Sequence, residues 1–276
     1  MDFYGLDELI KRALAEDIGH GDITTMSLVP EEQTGEGIFY AKGEGILAGT
    51  GICRQVFAFL DPQIEVQTFK NDGEAVVPGD KIMTVKGQMR ALLSGERVAL
   101  NFMQRMSGIA SKTRYIGELV KYLKAELVDT RKTTPGLRLL EKYAVRVGGG
   151  RNHRFALYDG VMIKDNHIQA VGGIQKAVCL ARQKLPHTFK IEVEVESLEQ
   201  LQEALEAQAD IIMLDNMDVD TMKAAVEIVA GRALLEASGG VNEENIVEIA
   251  KTGVDFISCG ALTHSATSLD ISFKIS

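Results

Sequence analysis

The chain has no apolar run long enough to cross a membrane, only three cysteines in 276 residues and no excess of basic charge. Each absence removes a class of function. A spanning helix needs about 20 consecutive apolar residues. At the amino terminus Asp2, Asp7, Glu8, Lys11, Arg12, Glu16 and Asp17 interrupt any signal-peptide core, so neither membrane insertion nor secretion is expected. Cys53, Cys179 and Cys259 are far apart, with neither CxxC nor metal-ligand spacing. That usage fits a reducing compartment, the cytoplasm, and small buried thiols. A formal net charge of -9 excludes the extended basic footprint that nucleic acid requires. No GxSxG elbow, Ser-His-Asp set or HExxH helix is present, so hydrolysis by a nucleophile and base is not expected.

Against this acidic background, the stretch Asp129 to Arg154, DTRKTTPGLRLLEKYAVRVGGGRNHR, holds seven Arg or Lys residues and a His. Its only acid between Arg131 and Arg154 is Glu141, and Pro135-Gly136 and Gly148-Gly149-Gly150 are interleaved with the cations. Glycine lets backbone approach a bound molecule closely. A pocket for a small polyanion is one reading of the pattern; a basic surface loop is the other.

Residues 6 to 16 place Leu6, Leu9, Ile10, Ala13 and Leu14 on one helical face, predicting an amino-terminal helix. A glycine-punctuated β region follows, with strands in GIFYAKGEGILAGTG, IEVQTF and DGEAVVPGDKIMTVKG. Lipoyl and biotinyl carrier domains have such strands, but Lys42 and Lys86 lack the context of their modified lysine. GERVALNFMQRMSGIASKTRYIGELVKYLK is then helical, with Val98, Phe102, Met106 and Ile109 as its core stripe and Glu96 beside Arg97 at its start. From about residue 125, six apolar runs each end in polar residues and precede a helical segment: AELVDTRK, GVMIKDNH, KIEVEVES, DIIMLDN, ALLEASGG and DFISCGALTHS. Continuous hydrophobicity marks strands buried on both faces, as in parallel βαβ units. KIEVEV alternates instead, so Glu192 and Glu194 share one face with Lys190, and carboxylates pointing into a barrel need a cation, a metal or a substrate hydroxyl.

All strands of such a barrel end at one face, where the last loops commonly hold phosphate. That rule gathers Arg131, Lys132, Lys164, Glu194, Asp215, Ser238, Gly239, Gly240, Gly260 and Ala261 at one rim. Positive charge and hydrogen-bond donors without a nucleophile suit chemistry driven by positioning and electrostatics. Glu194 and Asp215 suit indirect contact with Mg²⁺, or sugar hydroxyls, better than a hydrolytic pair; salt bridges to nearby lysines are the alternative.

EDIGHGDITT, ERVALN, DTRKTTPGLR, KYAVRVGGGRNHR, MIKDNH, EVEVES, MLDN, LEASGG and SCGALTHS, in that order across nearly the whole chain, resemble the quinolinate phosphoribosyltransferase family. The resemblance implies an α/β fold: an α/β sandwich domain over residues 1–110, then an open α/β barrel of about seven parallel strands over 111–276, with the carboxyl-terminal tail returning to the first domain. It implies a cytoplasmic homodimer that transfers phosphoribosyl from phosphoribosyl pyrophosphate to quinolinate, with Mg²⁺, in NAD biosynthesis. The dicarboxylate contacts would fall on Arg131, Lys132, His153, Arg154 and Lys164, and on Arg97 from the partner subunit. The donor would meet Glu194 and Asp215 at the ribose and Mg²⁺, with Ser238, Gly239, Gly240, Gly260, Ala261 and His264 around its phosphates. Lys132, Lys164, Glu194 and Asp215 are the expected catalytic set. Cys259 departs from the small apolar residue expected beside Gly260. The alternatives are a relative acting on another aromatic acid or in a molybdenum-linked role, and a Schiff-base aldolase using Lys164.

Overall fold

Leu6, Ile10 and Leu14 recur every fourth residue and are buried, so Leu6–Ile18 folds as helix α1 with those residues inward. Asp22 starts helix α2 (Ile23–Leu28) by accepting the Thr25 N–H at 3.0 Å, satisfying one of the donors a helix start leaves open. The computed structural model describes residues 5–276; Asp2 lies outside the described residues. The chain forms two compact units. One is Met1–Lys112 with Leu139–Gly148 and Ala266–Ser276; the other is Thr113–Arg138 with Gly149–Ser265.

In the first unit, strands β1 (Thr34–Ala41) and β2 (Gly45–Ile46), helix α3 (Thr50–Leu60), strands β3 (Glu65–Thr68), β4 (Ala75–Val76) and β5 (Lys81–Gln88), and the long helix α4 (Met89–Val120) follow in order. The chain then adds β6 (Glu126–Val128), α5 (Arg138–Val147), β7 (Val161–Ile163), α6 (Asp165–Val171), α7 (Ile174–Lys184), β8 (Ile191–Val195), α8 (Leu198–Glu206), β9 (Ile211–Asp215), α9 (Val219–Val229), β10 (Leu234–Ser238), α10 (Ile246–Lys251), β11 (Phe256–Ser258), α11 (Ala261–His264) and β12 (Ile271–Ile275). β12 closes an antiparallel sheet of order β12-β1-β5-β3. Phe39 of β1 lies opposite Phe273 of β12 with ring centroids 4.7 Å apart, and Phe57 of α3 approaches both at 6.1 and 6.0 Å. Gly37 makes room for this cluster, since a Cβ there would sit 1.9 Å from the Phe273 ring.

Two boundaries differ from the sequence reading. α4 begins at Met89 rather than near Gly95, because Met89, Ala91 and Leu92 are buried and extend the apolar stripe; Arg97 therefore lies two turns inside the helix and not at its start. Leu139–Gly148, expected in the barrel, belongs to the first unit. Its polar side chains explain why: buried Glu141 accepts from Arg105 at 2.9 Å, and the Tyr143 hydroxyl donates to Asp72 at 2.8 Å. Asp72 in turn accepts the Gly49 and Thr50 N–H groups at the start of α3.

The second unit holds a parallel sheet of order β6-β11-β10-β9-β8-β7. Beyond β6, Arg151 makes a single parallel bridge to Val128. This gives six strands and one bridging residue where about seven strands were expected, and no ladder joins that residue's segment to β7 among the described residues, so the barrel is open there. The short seventh position has a local cause. After Arg151 accepts from the Asp129 N–H at 3.1 Å, the Asp129 carboxylate takes the His153 N–H at 2.8 Å and the Asn152 side chain at 2.7 Å, so side-chain bonds replace the next rung of the ladder. No helix of the described residues is long and apolar enough to cross a membrane.

Removing the Phe39 ring from a fully buried site leaves a cavity that neighbouring rings cannot fill. Phe39→Ala should cost about 3–5 kcal/mol of the first unit's stability, measured by urea denaturation followed by circular dichroism. A loss below about 1 kcal/mol would contradict the aromatic cluster as the centre of that core.

Candidate active site

Alternation along the parallel strands puts every second residue into the barrel. At the carboxyl ends of the strands these inward positions surround a cavity of 520 Å³ lined by Arg131, Lys132, His153, Arg154, Lys164, Glu194, Asp215, Ser238, Gly239 and Gly240, with Thr130, Met162, Met213, Asn216, Glu236 and Ser258. Ten residues expected at the rim or acceptor site from sequence are thus brought together.

Their positions follow from local bonds. Arg138 ties the two cationic segments, donating to the Thr133 hydroxyl at 3.0 Å and to the Phe155 carbonyl at 3.2 Å. Asp159 holds the Phe155 and Ala156 N–H groups at 2.7 Å each, and Arg154 reaches the Gly160 carbonyl at 3.0 Å. Burial, and then the adjacent Arg131, hold the Arg154 guanidinium below its ordinary value, against the pull of Glu192 and Asp159. Two guanidinium charges that repel one another at one cavity, Arg154 half-buried and Arg131 exposed, suit an anion between them.

The acids divide by depth. Glu194 is ion-paired with Lys164 near the mouth. Asp215 accepts from the Asn216 side chain at 2.7 Å. Asn216 has a φ of +54°, and its N–H donates to the Ser238 carbonyl at 2.9 Å. Gly239 makes this arrangement possible: its φ is +97°, and a Cβ would stand 2.1 Å from Asn216 Oδ1 and 2.8 Å from its backbone nitrogen. The oxygen donors of Glu194 and Asp215 suit a hard divalent cation, with Lys164 already neutralising part of Glu194.

Below the mouth, Glu192 and Glu236 are buried and face His153, whose Nε2 lies 3.1 Å from Glu192 and 3.5 Å from Glu236. His153 Nδ1 accepts the Arg154 N–H at 2.7 Å and its Nε2 faces Glu192, so both ring nitrogens have partners within the protein while the residue lines the cavity. Burial, then the Glu192 charge, pushes the Glu236 carboxyl up to about 7, against the opposing pull of His153 and Ser258.

Gly260, Ala261 and His264 are outside the residues lining this cavity. They stand on its Lys132 side: a Cβ on Gly260 would lie 3.1 Å from Lys132 Cδ and 3.2 Å from the His264 ring, and the Thr263 hydroxyl donates to the Lys132 carbonyl at 2.8 Å. Cys259 is buried, with its sulfur 3.5 Å from the Val241 carbonyl, and leaves the Gly260 turn in place. Arg97 is exposed on α4 in the first unit. Of the seven cations in the basic segment, Arg131, Lys132 and Arg154 line the cavity, whereas Arg138 ties loops, Lys142 is buried in the first unit, Arg146 is exposed in the last turn of α5 and Arg151 pairs with Glu126. Asp129, Asn216 and Glu236 were missed as site residues. MLDN contained the signal for Asn216 and GGGRNHR for a turn needing an anchor, but Glu236 sits in an apolar run that only barrel parity could have flagged.

The Quinolinate phosphoribosyl transferase C-terminal domain family matches residues 109–274, and its N-terminal domain family matches residues 22–107. The chain belongs to the quinolinate phosphoribosyltransferase family. A probable nicotinate-nucleotide pyrophosphorylase (carboxylating) of Bacillus subtilis (strain 168) is 48% identical over 275 residues, covering 100% of this chain and 95% of its own. The mitochondrial quinolinate phosphoribosyltransferase (decarboxylating) 2b of Nicotiana tabacum is 44% identical over 291 residues, covering 99% of this chain and 82% of its own. The crystal structure of NadC from Streptococcus pyogenes superposes with a TM-score of 0.95 at 43% identity, covering 100% of this chain and 99% of that one. The parallel sheet and the antiparallel sheet described above are therefore the two domains of a quinolinate phosphoribosyltransferase.

Gly239→Ala should displace Asn216 and with it the Asp215 carboxylate. We expect a loss of about 1–3 kcal/mol in stability from the strained backbone, and at least a tenfold rise in the concentration of phosphoribosyl donor needed for half-saturation. Unchanged donor dependence, with Asn216 unmoved in a crystal structure of the variant, would contradict the role given to Gly239.

Proposed function

We propose that the protein transfers the phosphoribosyl group of phosphoribosyl pyrophosphate to quinolinate and releases CO₂ and pyrophosphate, giving nicotinate mononucleotide for NAD biosynthesis. The observation that carries the reading is a cavity lined by four cations, Arg131, Lys132, Arg154 and Lys164, in which the Arg131 charge acts on Arg154. Quinolinate brings two carboxylates and the donor a phosphate and a pyrophosphate, so a site without excess cations could not hold both. Planar guanidinium groups recognise planar carboxylates, so we assign the acceptor to Arg131 and Arg154, with Lys132, His153 and Lys164 beside them as the family resemblance implies.

The donor belongs with Glu194, Asp215 and Ser238 and the Gly239-Gly240 turn, which line the other strand ends of the cavity, with Gly260, Ala261 and His264 beside Lys132. Glu194 and Asp215 would hold Mg²⁺ through water or the donor's oxygens, and that ion, when bound, supplies charge stabilisation to the departing pyrophosphate. Arg131 and Arg154 hold the ring so that its nitrogen faces the anomeric carbon while Asp215 and Glu194 steady the ribose. The nitrogen–carbon bond forms as the bond to pyrophosphate breaks. The ring nitrogen, now positive, accepts the electron pair left on the adjacent carbon when its carboxylate departs as CO₂, and that carbon then takes a proton.

Lys164 lies in an ion pair with Glu194 among polar residues, which counts against an aldolase Schiff base. A transferase of nicotinate would have less use for paired arginines. The three free cysteines, of which Cys53 and Cys259 are buried, support a reducing compartment, and we assign the protein to the cytoplasm. We further infer a homodimer in which the exposed Arg97 of each subunit completes its partner's acceptor site, as the ERVALN motif implies.

Quinolinate should be consumed and nicotinate should not, because one missing carboxylate leaves a desolvated cation unpaired at a cost of about 2–4 kcal/mol, roughly 30-fold to 1000-fold in discrimination. Pyrophosphate release with each acid, donor and Mg²⁺ measures this, and comparable turnover would refute the dicarboxylate assignment. Arg131→Ala or Arg154→Ala should impair quinolinate use, whereas Asp215→Ala should impair the response to Mg²⁺ and donor. Wild-type metal and donor dependence in Asp215→Ala would remove that residue from the donor side.

The composite site has its own test. Inactive Arg97→Ala mixed with inactive Lys132→Ala under subunit exchange gives heterodimers with one doubly lesioned and one intact pocket. Random exchange should restore about a quarter of wild-type activity. Verified heterodimers without recovery would confine Arg97 to its own subunit.

A further inference from the structure

A second cavity, of 360 Å³, enters the barrel from the amino-terminal ends of the strands between Val161, Phe189, Lys190, Ile211 and Phe256. His153, Arg154 and Glu236 line both this inner cavity and the mouth cavity, so they stand in the wall between the two. Ligand atoms of His153, Glu192 and Glu236 lie within 4.8 Å of one another, and Oε1 of each glutamate is buried without a hydrogen-bond partner.

The protons of this cluster can be assigned from the bonds. Because Nδ1 of His153 accepts the Arg154 N–H, its hydrogen is on Nε2. That N–H points to the nearer carboxylate, Glu192 at 3.1 Å, and favours it as the anion. Two carboxylates this close in a water-poor wall cannot both be charged without a large penalty. The remaining proton therefore resides on Glu236, the one of the two acids that also borders the mouth cavity. Nothing in the transfer chemistry above uses that proton, yet the reaction needs one.

We propose that Glu236 is the general acid that protonates the ring carbon vacated by CO₂. The proposal rests on the functional reading given above. As the bond between that carbon and its carboxylate breaks, the electron pair remains on the carbon; the Glu236 O–H bond then breaks, the carbon–hydrogen bond forms, and Glu236 is left as a carboxylate. Water admitted by the inner cavity restores its proton while the mouth is filled by substrates. The charged and titratable groups facing Glu236 are Glu192 on β8, His153 and Arg154 after the Arg151 bridge and Asp129 after β6, with the Ser258 hydroxyl on β11. Burial and the Glu192 charge hold Glu236 protonated up to about pH 7. An acid with a raised value donates below it and fails above it, so the decarboxylation step weakens as pH rises through about 7.

The test is a rapid-quench single turnover of the holoenzyme with quinolinate labelled in the carboxylate beside the ring nitrogen, donor and Mg²⁺, following pyrophosphate, CO₂ and quinolinate mononucleotide. Glu236→Gln should release pyrophosphate within about threefold of wild type while CO₂ release slows about 100-fold or more, the range a general acid supplies, with the mononucleotide intermediate accumulating. The wild-type pH dependence of CO₂ release should disappear in the variant. Should Glu236→Gln not fold, as judged by circular dichroism, Glu236→Asp takes its place; its displaced acid should slow the second step about 100-fold and leave the first unchanged. Equal CO₂ and pyrophosphate yields with an unaltered pH profile, or equal loss of both from a folded variant, would overturn the proposal. So would saturable binding of Zn²⁺ to the wild type that Glu236→Gln abolishes. If wild-type enzyme released no pyrophosphate from quinolinate, the functional reading itself would fail, a result distinct from any of these.

Discussion

The buried carboxylate of Asp129 decides where His153 and Arg154 stand at the barrel mouth. It directly follows β6, has no exposure to solvent and takes both the His153 N–H and the Asn152 side chain. A carboxylate in such a place is costly unless charge-assisted bonds replace its water. The backbone after the Arg151 bridge is therefore held at the carboxylate and not allowed to continue as a strand, and that turn carries His153 and Arg154 into the cavity. Breaking the ladder at this point and presenting an arginine are one structural event.

Depth along the barrel separates the charges by function. Neighbouring strands in register bring Glu194 opposite Met213 and Ser238 opposite Asp215, so the outer layer is polar and open to ligands. Glu236 shares Met213 as its register partner but is buried, and with Glu192 it closes a layer around His153. The strand period of two residues places acids of opposite character two positions apart on a single strand: Glu194 paired with a lysine near solvent, Glu192 buried beneath it.

Much of this was legible in the sequence. The six apolar runs with polar ends became the six parallel strands, and the strand-end rule brought Arg131, Lys164, Glu194, Asp215 and Ser238 to one cavity. The alternation in KIEVEV marked Glu192 and Glu194 as inward. Glu236 gave no such signal, because a residue pointing into a barrel from a strand otherwise buried on both faces sits in an unbroken apolar run. The segment Leu139–Gly148 was misplaced for a different reason. Its cations follow Arg131 closely in sequence, but the Glu141 and Tyr143 side chains answer to Arg105 and Asp72, which are 36 and 71 residues away and beyond any local pattern.

The same electrostatics explain why acids lie beneath an anion site at all. Arg131 and Arg154 repel one another, and Glu192 offsets part of that repulsion by attracting Arg154. With both glutamates ionised, the inner layer would offset more of the positive potential at the mouth. With Glu236 protonated, Glu192 is the one charged glutamate of this inner layer, and it attracts Arg154 without a second glutamate charge beside it. The proton on Glu236 thus keeps the two inner glutamates from cancelling the guanidinium charge above them.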